Sequence, residues 1–317
     1  MASTSKWTAD DIPDQHDRVA VITGANSGLG LCSARELARH GAQVVLACRS
    51  PERGAAALAE VESVATGAAP TLLALDLADL SSVERAAGEL AGSVEQIDIL
   101  LNNAGVMALP RTRTVDGFEA QFGTNHLGHY ALTGRLLPLL LAAPSARVVT
   151  TSSSAHRMGK MHWDDLNWDK GYQKWPAYGQ SKLANLLFTM ELDRRAKAHE
   201  VPLLSVAGHP GYASTHLQAA GPEMAGNGFM VRVMEATNNL VAQPAEMGAL
   251  PQLYAATMDG VAGGEYYGPG GLMEVRGHPK KVQATRPAYG TEEAAKLWAH
   301  SQELTGVIYD WAPAHRD

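Results

Sequence analysis

Two cysteines, Cys32 and Cys48, are all that the 317 residues contain. They cannot build a disulfide framework, and the setting they suggest is a reducing cytoplasm. Basic residues are also scarce: 26 Lys and Arg stand against 33 Asp and Glu, a net charge of −7 with no basic run. That balance argues against nucleic acid as a partner. No stretch approaches the roughly 18 consecutive apolar residues of a membrane helix. The best candidate, residues 130–143, is interrupted by Arg135 and Pro138, so stable membrane insertion is not expected. Residues 1–17 carry Asp10, Asp11, Asp14 and Asp17 and no apolar signal-peptide core. They read as a polar arm docked through Trp7 and Ile12. Linkers, low-complexity tracts and internal repeats are missing too, so residues 18–317 are expected to form one domain.

What is present is alternation. Val19–Thr23, Val44–Ala47, Thr71–Leu75, Ile97–Leu101, Arg147–Thr151 and Leu203–Ala207 read as strands. The first five are mostly apolar throughout, as expected when helices cover both faces of a sheet. Helical patterns fall between them at Leu29–His40, Glu52–Ala65, Ser81–Ala91 and Leu127–Leu141. A long helix is expected after Pro176, to about Lys197. Another is expected over Ala245–Met258, then a last short strand at Tyr266-Tyr267 and a helix capped by Thr291. The fold class is α/β: a single doubly wound Rossmann-type domain, with a parallel sheet of about seven strands and helices on both faces.

The first strand runs into Gly24-Ala25-Asn26-Ser27-Gly28-Leu29-Gly30. Glycines there let backbone approach a pyrophosphate, and the helix that follows offers unpaired N–H groups and a partial positive charge. Gly24, Asn26, Ser27, Gly28, Leu29 and Gly30 are therefore candidate cofactor contacts. The end of the second strand selects the dinucleotide. A carboxylate there would hold a ribose 2′-hydroxyl and repel a 2′-phosphate, but the sequence is Cys48-Arg49-Ser50. Arg49 is placed to grip a phosphate, with Ser50 and Arg53 assisting, so NADP (NADPH) is favoured over NAD. Asp76, with Leu77, could accept the adenine amino group or cap the next turn. Asn103-Ala104-Gly105 closes the fourth strand, where small residues can pass beneath a cofactor ribose.

Tyr178 and Lys182 lie one helical turn apart and leave the same face. A neighbouring ammonium favours a phenolate, so Lys182 is expected to lower the Tyr178 pKa and let the phenol exchange a proton with a substrate oxygen near neutral pH.

With these pieces in order, the chain resembles the short-chain dehydrogenase/reductase family over about Val19 to Ile308. Threonine before Gly-x-x-x-Gly-x-Gly, Asn-Asn-Ala-Gly, serine after the fifth strand and Tyr-x-x-x-Lys all occur in family order. Leu46-Ala47-Cys48-Arg49, Thr124-Asn125-His126-Leu127-Gly128-His129 and Ser181-Lys182-Leu183-Ala184-Asn185 are similar to the retinol-dehydrogenase-like and protochlorophyllide-reductase-like branch.

The resemblance implies four catalytic residues: Asn125, Ser153, Tyr178 and Lys182. Ser153 is preferred over its neighbours Ser152 and Ser154. Ser153 would hydrogen-bond the substrate oxygen, Tyr178 would deliver or remove the proton, Lys182 would also hold the ribose, and Asn125 would anchor a water linking Lys182 to solvent. Pro210, Gly211 and Thr215 would meet the nicotinamide end, and residues 213–240 would form a substrate lid.

The expected substrate is a small-molecule carbonyl/alcohol pair, bulky and apolar. The alternatives are reduction of a carbon–carbon double bond and a non-catalytic NADP-sensing protein. The aromatic run from His162 to Trp175 is either a substrate rim or a satellite core. Family members often pair through two helices, so Leu136, Leu140, Leu183 and Leu187 could form a homodimer seam or face the chain's own core. No metal is expected: His126, His129, His156 and His162 have no helpful carboxylate or thiol pairing.

Overall fold

The computed structural model describes residues 6–212 and 243–312. Thr215 and the expected lid at 213–240 lie outside the described residues. The elements follow in the order Val19–Thr23 (β1), Gly28–Arg39 (α1), Gln43–Cys48 (β2), Pro51–Glu62 (α2), Thr71–Ala74 (β3), Leu80–Ala91 (α3) and Ile99–Asn102 (β4). Then come Ala120–Phe122 (α4), Gly128–Arg135 (α5), Leu137–Ala142 (α6), Ala146–Thr151 (β5), Lys174–Ala198 (α7) and Leu203–Gly208 (β6). Ala245–Thr257 (α8), Tyr266–Pro269 (β7), Pro279–Lys281 (β8) and Thr291–Thr305 (α9) complete the series.

The strands form one sheet in the order β3-β2-β1-β4-β5-β6-β7-β8. All neighbours are parallel except β7 and β8, whose register sets Gly268 opposite Lys280. That antiparallel edge strand goes beyond the seven expected; it is three residues long with two lysines, too short and polar to show an apolar pattern. The order reverses between β1 and β4, leaving a crevice at the carboxyl ends of those strands, the usual ligand position in such sheets.

Alternation in β1 divides the core. Val19 and Val21 pack with α3, α5 and α7 residues such as Leu90, Leu132 and Leu192. Ala20 and Ile22 pack on the opposite face with Leu37 of α1, Val61 of α2 and Leu253 of α8. Trp7 meets Tyr254 of α8 edge-on at 5.2 Å, and Ile12 is buried on the same face.

Helix boundaries follow local chemistry. Ser50 caps α2, its hydroxyl accepting the Arg53 N–H at 3.3 Å with Pro51 at the first helical position. Asp79 caps α3 by accepting the Ser81 N–H at 2.9 Å. Helix α7 starts at Lys174, before Pro176, because a proline in the first turn loses no intrahelical bond. Thr291 is the first residue of α9 rather than its cap; Gly290 precedes it, with no side-chain cap bond. The pattern over Leu127–Leu141 is not one helix. A π-helical turn at Gly123–Leu127 leads into α5, and the axis breaks at Leu136. Pro138 causes the break: it has no N–H and its ring crowds the carbonyl of Gly134.

Leu136, Leu140, Leu183 and Leu187 are all buried within the chain itself. The first two join the core beneath α3 and α5. The last two join a third cluster with Phe122, Tyr266 and Leu297. Helix α9 packs on α7.

Candidate active site

One cavity of about 530 Å³ opens at the carboxyl ends of β1 and β4. At its floor, β1 ends in Thr23 and the chain turns on Gly24 (φ +67°) and Gly28 (φ +52°), a backbone region that favours glycine. A Cβ on Gly30 would stand 2.3 Å from the Gly24 carbonyl and 2.7 Å from Asn103 Nδ2, so the turn and α1 close only around a bare backbone. Ser27 precedes α1 without forming a side-chain cap, leaving the first N–H groups of the helix free of it. Asn26, Ser27, Gly28 and Leu29 line the cavity beside this helix end. A small, positive, backbone-lined cradle of this kind fits a dinucleotide pyrophosphate.

Asn103 braces the cradle. Its amide donates to the Thr23 carbonyl at 2.8 Å, and its backbone N–H donates to Thr23 Oγ1 at 2.9 Å. Ala104 and Gly105 continue the wall. Arg49 and Arg53 both line the far end, and neither has an ion pair among the described residues. Ser50 does not join them, because its hydroxyl caps α2 and donates to Glu52. Asp76 and Leu77 also line the cavity. One Asp76 oxygen accepts the Ala78 N–H at 3.0 Å, so this carboxylate holds its turn while it faces the cavity.

At the near end, α7 brings Tyr178 and Lys182 to the same wall as Ser153, which follows β5. Lys182 Nζ donates to the Thr151 carbonyl at 3.1 Å and stands 5.7 Å from the Tyr178 ring centre. Burial pushes the Tyr178 phenol up to about 12, partly offset by a hydrogen bond with Ser153. Burial lowers the Lys182 ammonium to about 8. In the protein alone the shift of Tyr178 is upward rather than the expected downward one, because burial removes a phenolate from water and only the Ser153 hydrogen bond opposes it. Ser152 is committed elsewhere, donating to the Lys182 carbonyl at 2.9 Å. Ser154 is exposed.

Asn125 is the described candidate that does not reach the cavity; it is fully buried behind it. Its Oδ1 accepts the Val106 N–H at 2.7 Å, and its Nδ2 donates to the Val106 carbonyl and to Ser181 Oγ, each at 2.9 Å. The side chain is therefore spent on bracing the wall and α7.

Beyond Tyr178, Pro210 and Gly211 complete the wall. Gly211 has φ +64°, and a Cβ there would meet the Val275 carbonyl at 2.4 Å. His209 Nδ1 accepts the Gly211 N–H at 3.2 Å, and its Nε2 stands 3.1 Å from Glu274. Glu274 also accepts from Arg157 at 3.0 Å. Sequence reasoning missed this brace, since His209, Glu274 and Arg157 lie more than 50 residues apart.

The aromatic run divides. Trp168 is buried against His162, Trp163 stacks on His300, and Tyr172 donates to the Leu109 carbonyl. Trp175 alone of these lines the cavity, with Met107, Met158 and Tyr212. The two methionines went unnoticed because no local pattern distinguishes a rim methionine from a core one.

A doubly wound sheet with a glycine cradle at its switch point, and a tyrosine, lysine and serine on one wall, defines a dinucleotide-dependent oxidoreductase class. The family described as short chain dehydrogenase matches residues 18–226. Human retinol dehydrogenase 13 is 39% identical over 294 residues, covering 92% of this chain and 85% of the relative. A crystal structure of an uncharacterized protein from Mycobacterium Paratuberculosis is 44% identical with a TM-score of 0.78, covering 96% of this chain and all of the other. The NADP complex of RhlG from Pseudomonas aeruginosa, 23% identical with a TM-score of 0.62, covers 80% of this chain and 94% of its own and shares the fold. The chain belongs to the short chain dehydrogenase family and is an oxidoreductase acting on carbonyl or alcohol groups.

Proposed function

We propose that the protein is an NADPH-dependent reductase, and in reverse a dehydrogenase, of a bulky apolar aldehyde, ketone or alcohol. The observation that carries this reading is a single cavity walled at one end by Arg49 and Arg53 and at the other by Ser153 and Tyr178. NADPH, when bound, supplies the hydride.

The chain's own residues supply the rest. Ser153 donates a hydrogen bond to the substrate oxygen, and this bond strengthens as negative charge develops there. Tyr178 gives that oxygen a proton, and takes one in the oxidising direction. Lys182, charged below about pH 8, stabilises the phenolate that Tyr178 leaves. Arg49 holds the 2′-phosphate. Met107, Met158, Trp175 and Tyr212 offer an adaptable apolar wall beside the reacting end. A relative named for retinol points to the same substrate class.

The test is Tyr178→Phe assayed with NADPH against a panel of aliphatic and aromatic aldehydes and ketones. Turnover is expected to vanish while NADPH affinity, followed by fluorescence, stays close to that of the parent. Near-parental turnover in the variant would remove the phenol from the mechanism.

A further inference from the structure

His129 sits on α5, one turn beyond Asn125, with its ring buried and outside the cavity wall. Its Nδ1 stands 3.0 Å from the Asn125 carbonyl oxygen and its Nε2 stands 2.9 Å from Thr23 Oγ1. A carbonyl only accepts, so Nδ1 carries the proton; Thr23 Oγ1 already accepts two backbone N–H groups, so Nε2 accepts its hydroxyl hydrogen, which is shared with the Leu101 carbonyl at 3.2 Å. Both bonds need a neutral ring. Burial supplies it, pushing the imidazole down to about 4, with the Lys182 charge acting in the same direction.

Each end of this bridge leads to one half of the site. Thr23 Oγ1 accepts the N–H groups of Asn103 and Ala104, both at 2.9 Å, directly beneath the glycine cradle. Asn125 lies in the π-helical turn, a device often found at functional sites. Its amide donates to Ser181 Oγ at 2.9 Å, and Ser181 Oγ donates to the Tyr178 carbonyl at 2.8 Å. A chain of hydrogen bonds, joined through the covalent frame of Asn125, thus runs from the phosphate cradle to the turn of α7 that carries Tyr178 and Lys182.

We propose that His129 is a positioning residue that couples the phosphate cradle to the Tyr178–Lys182 turn, fixing the placement of the proton donor relative to the bound nucleotide. This rests on the reading of the site given under Proposed function. His129 touches neither cofactor nor substrate; it acts through Thr23 on one side and Asn125 on the other.

The test compares His129→Leu, which removes both bonds, with His129→Asn, whose amide N–H can still reach the Asn125 carbonyl. Decanal with NADPH is the probe reaction. His129→Leu is expected to lower kcat about 10- to 100-fold, as misplacement of a reacting group does, with little change in NADPH affinity. His129→Asn, which keeps the Asn125 bond but loses the link to Thr23, is expected to lose about as much. A kcat for either variant within about twofold of the parent overturns the proposal.

A second readout needs no turnover. Hydrogen exchange at residues 123–129 and 178–182 is measured with and without 2′,5′-ADP, which lacks the nicotinamide. The nucleotide is expected to slow exchange in the parent but not in His129→Leu. Equal slowing in both, or slowing in neither, counts against the coupling. If His129→Leu fails to fold, Thr23→Val removes the same bond from the other side and is judged by the same two criteria. A parent inactive on decanal, or an active Tyr178→Phe, sinks the functional reading instead and leaves the exchange result to decide the coupling.

Discussion

Arg49 stands at the end of β2 with its charge unpaired among the described residues and its side chain on the cavity. A hydrogen bond to a charged group contributes about 1.5–3 kcal/mol, so losing it should cost about 10- to 100-fold in affinity. Arg49→Asp is accordingly expected to cut kcat/KM for NADPH by at least that much and to improve NADH relative to it. Steady-state kinetics with both cofactors is the check, and an unchanged ratio removes the phosphate role. At this scale the sequence was informative about types and poor about states. Tyr178 and Lys182 were legible from their spacing. The direction of the Tyr178 shift was not, because desolvation depends on what the rest of the chain packs around the phenol. Nor could the sequence show that Asn125 spends its amide on Val106 and Ser181.

Elements were legible where apolar runs were long and flanked by turn residues. Strands β1 to β6 fall within two residues of their expected bounds. The π-helical turn before α5 and the break at Leu136 escaped detection, since an apolar stripe does not report the backbone ladder beneath it. The contact between α1 and the cradle shows how tight an element junction can be. Gly30→Ala would drive a Cβ to 2.3 Å from the Gly24 carbonyl, a side-chain atom against fixed backbone. Overpacking of this sort costs about 1–3 kcal/mol, so melting temperature should fall by several degrees and NADPH binding should weaken sharply. Calorimetry and a fluorescence titration test this together; a variant that melts and binds like the parent would show that the cradle has room to spare.

The whole molecule buries imidazoles. Burial pushes His126 down to about 3 and His129 to about 4, and also lowers His156. An unfolded histidine titrates near 6.5. Between those values the unfolded chain takes up protons that the folded chain refuses, so this stability is fully present above about pH 6.5 and is lost as pH falls. His16, exposed and raised by Asp14, acts in the opposite sense but weakly. The midpoint of urea unfolding is therefore expected to decline from about pH 6.5 to about pH 5, above the range where most carboxylates titrate. His129→Asn should flatten the slope. A midpoint constant across that interval would mean that the rings charge in the folded state. Among the described residues no helix is long and apolar enough to cross a membrane.

By itself the sequence determined the alternation of strand and helix, the glycine turn, the arginine at the end of β2 and the Tyr-x-x-x-Lys pair. Each depends on neighbours within a few residues, where periodicity and turn chemistry operate. Tertiary structure alone decided that four leucines on α6, α7 and their approach face inward, that Glu274 braces the Gly211 turn, and that His129 joins Thr23 to Asn125 across more than a hundred residues. Those outcomes depend on which surfaces the sheet brings together, and no local pattern encodes a partner that distant in the chain.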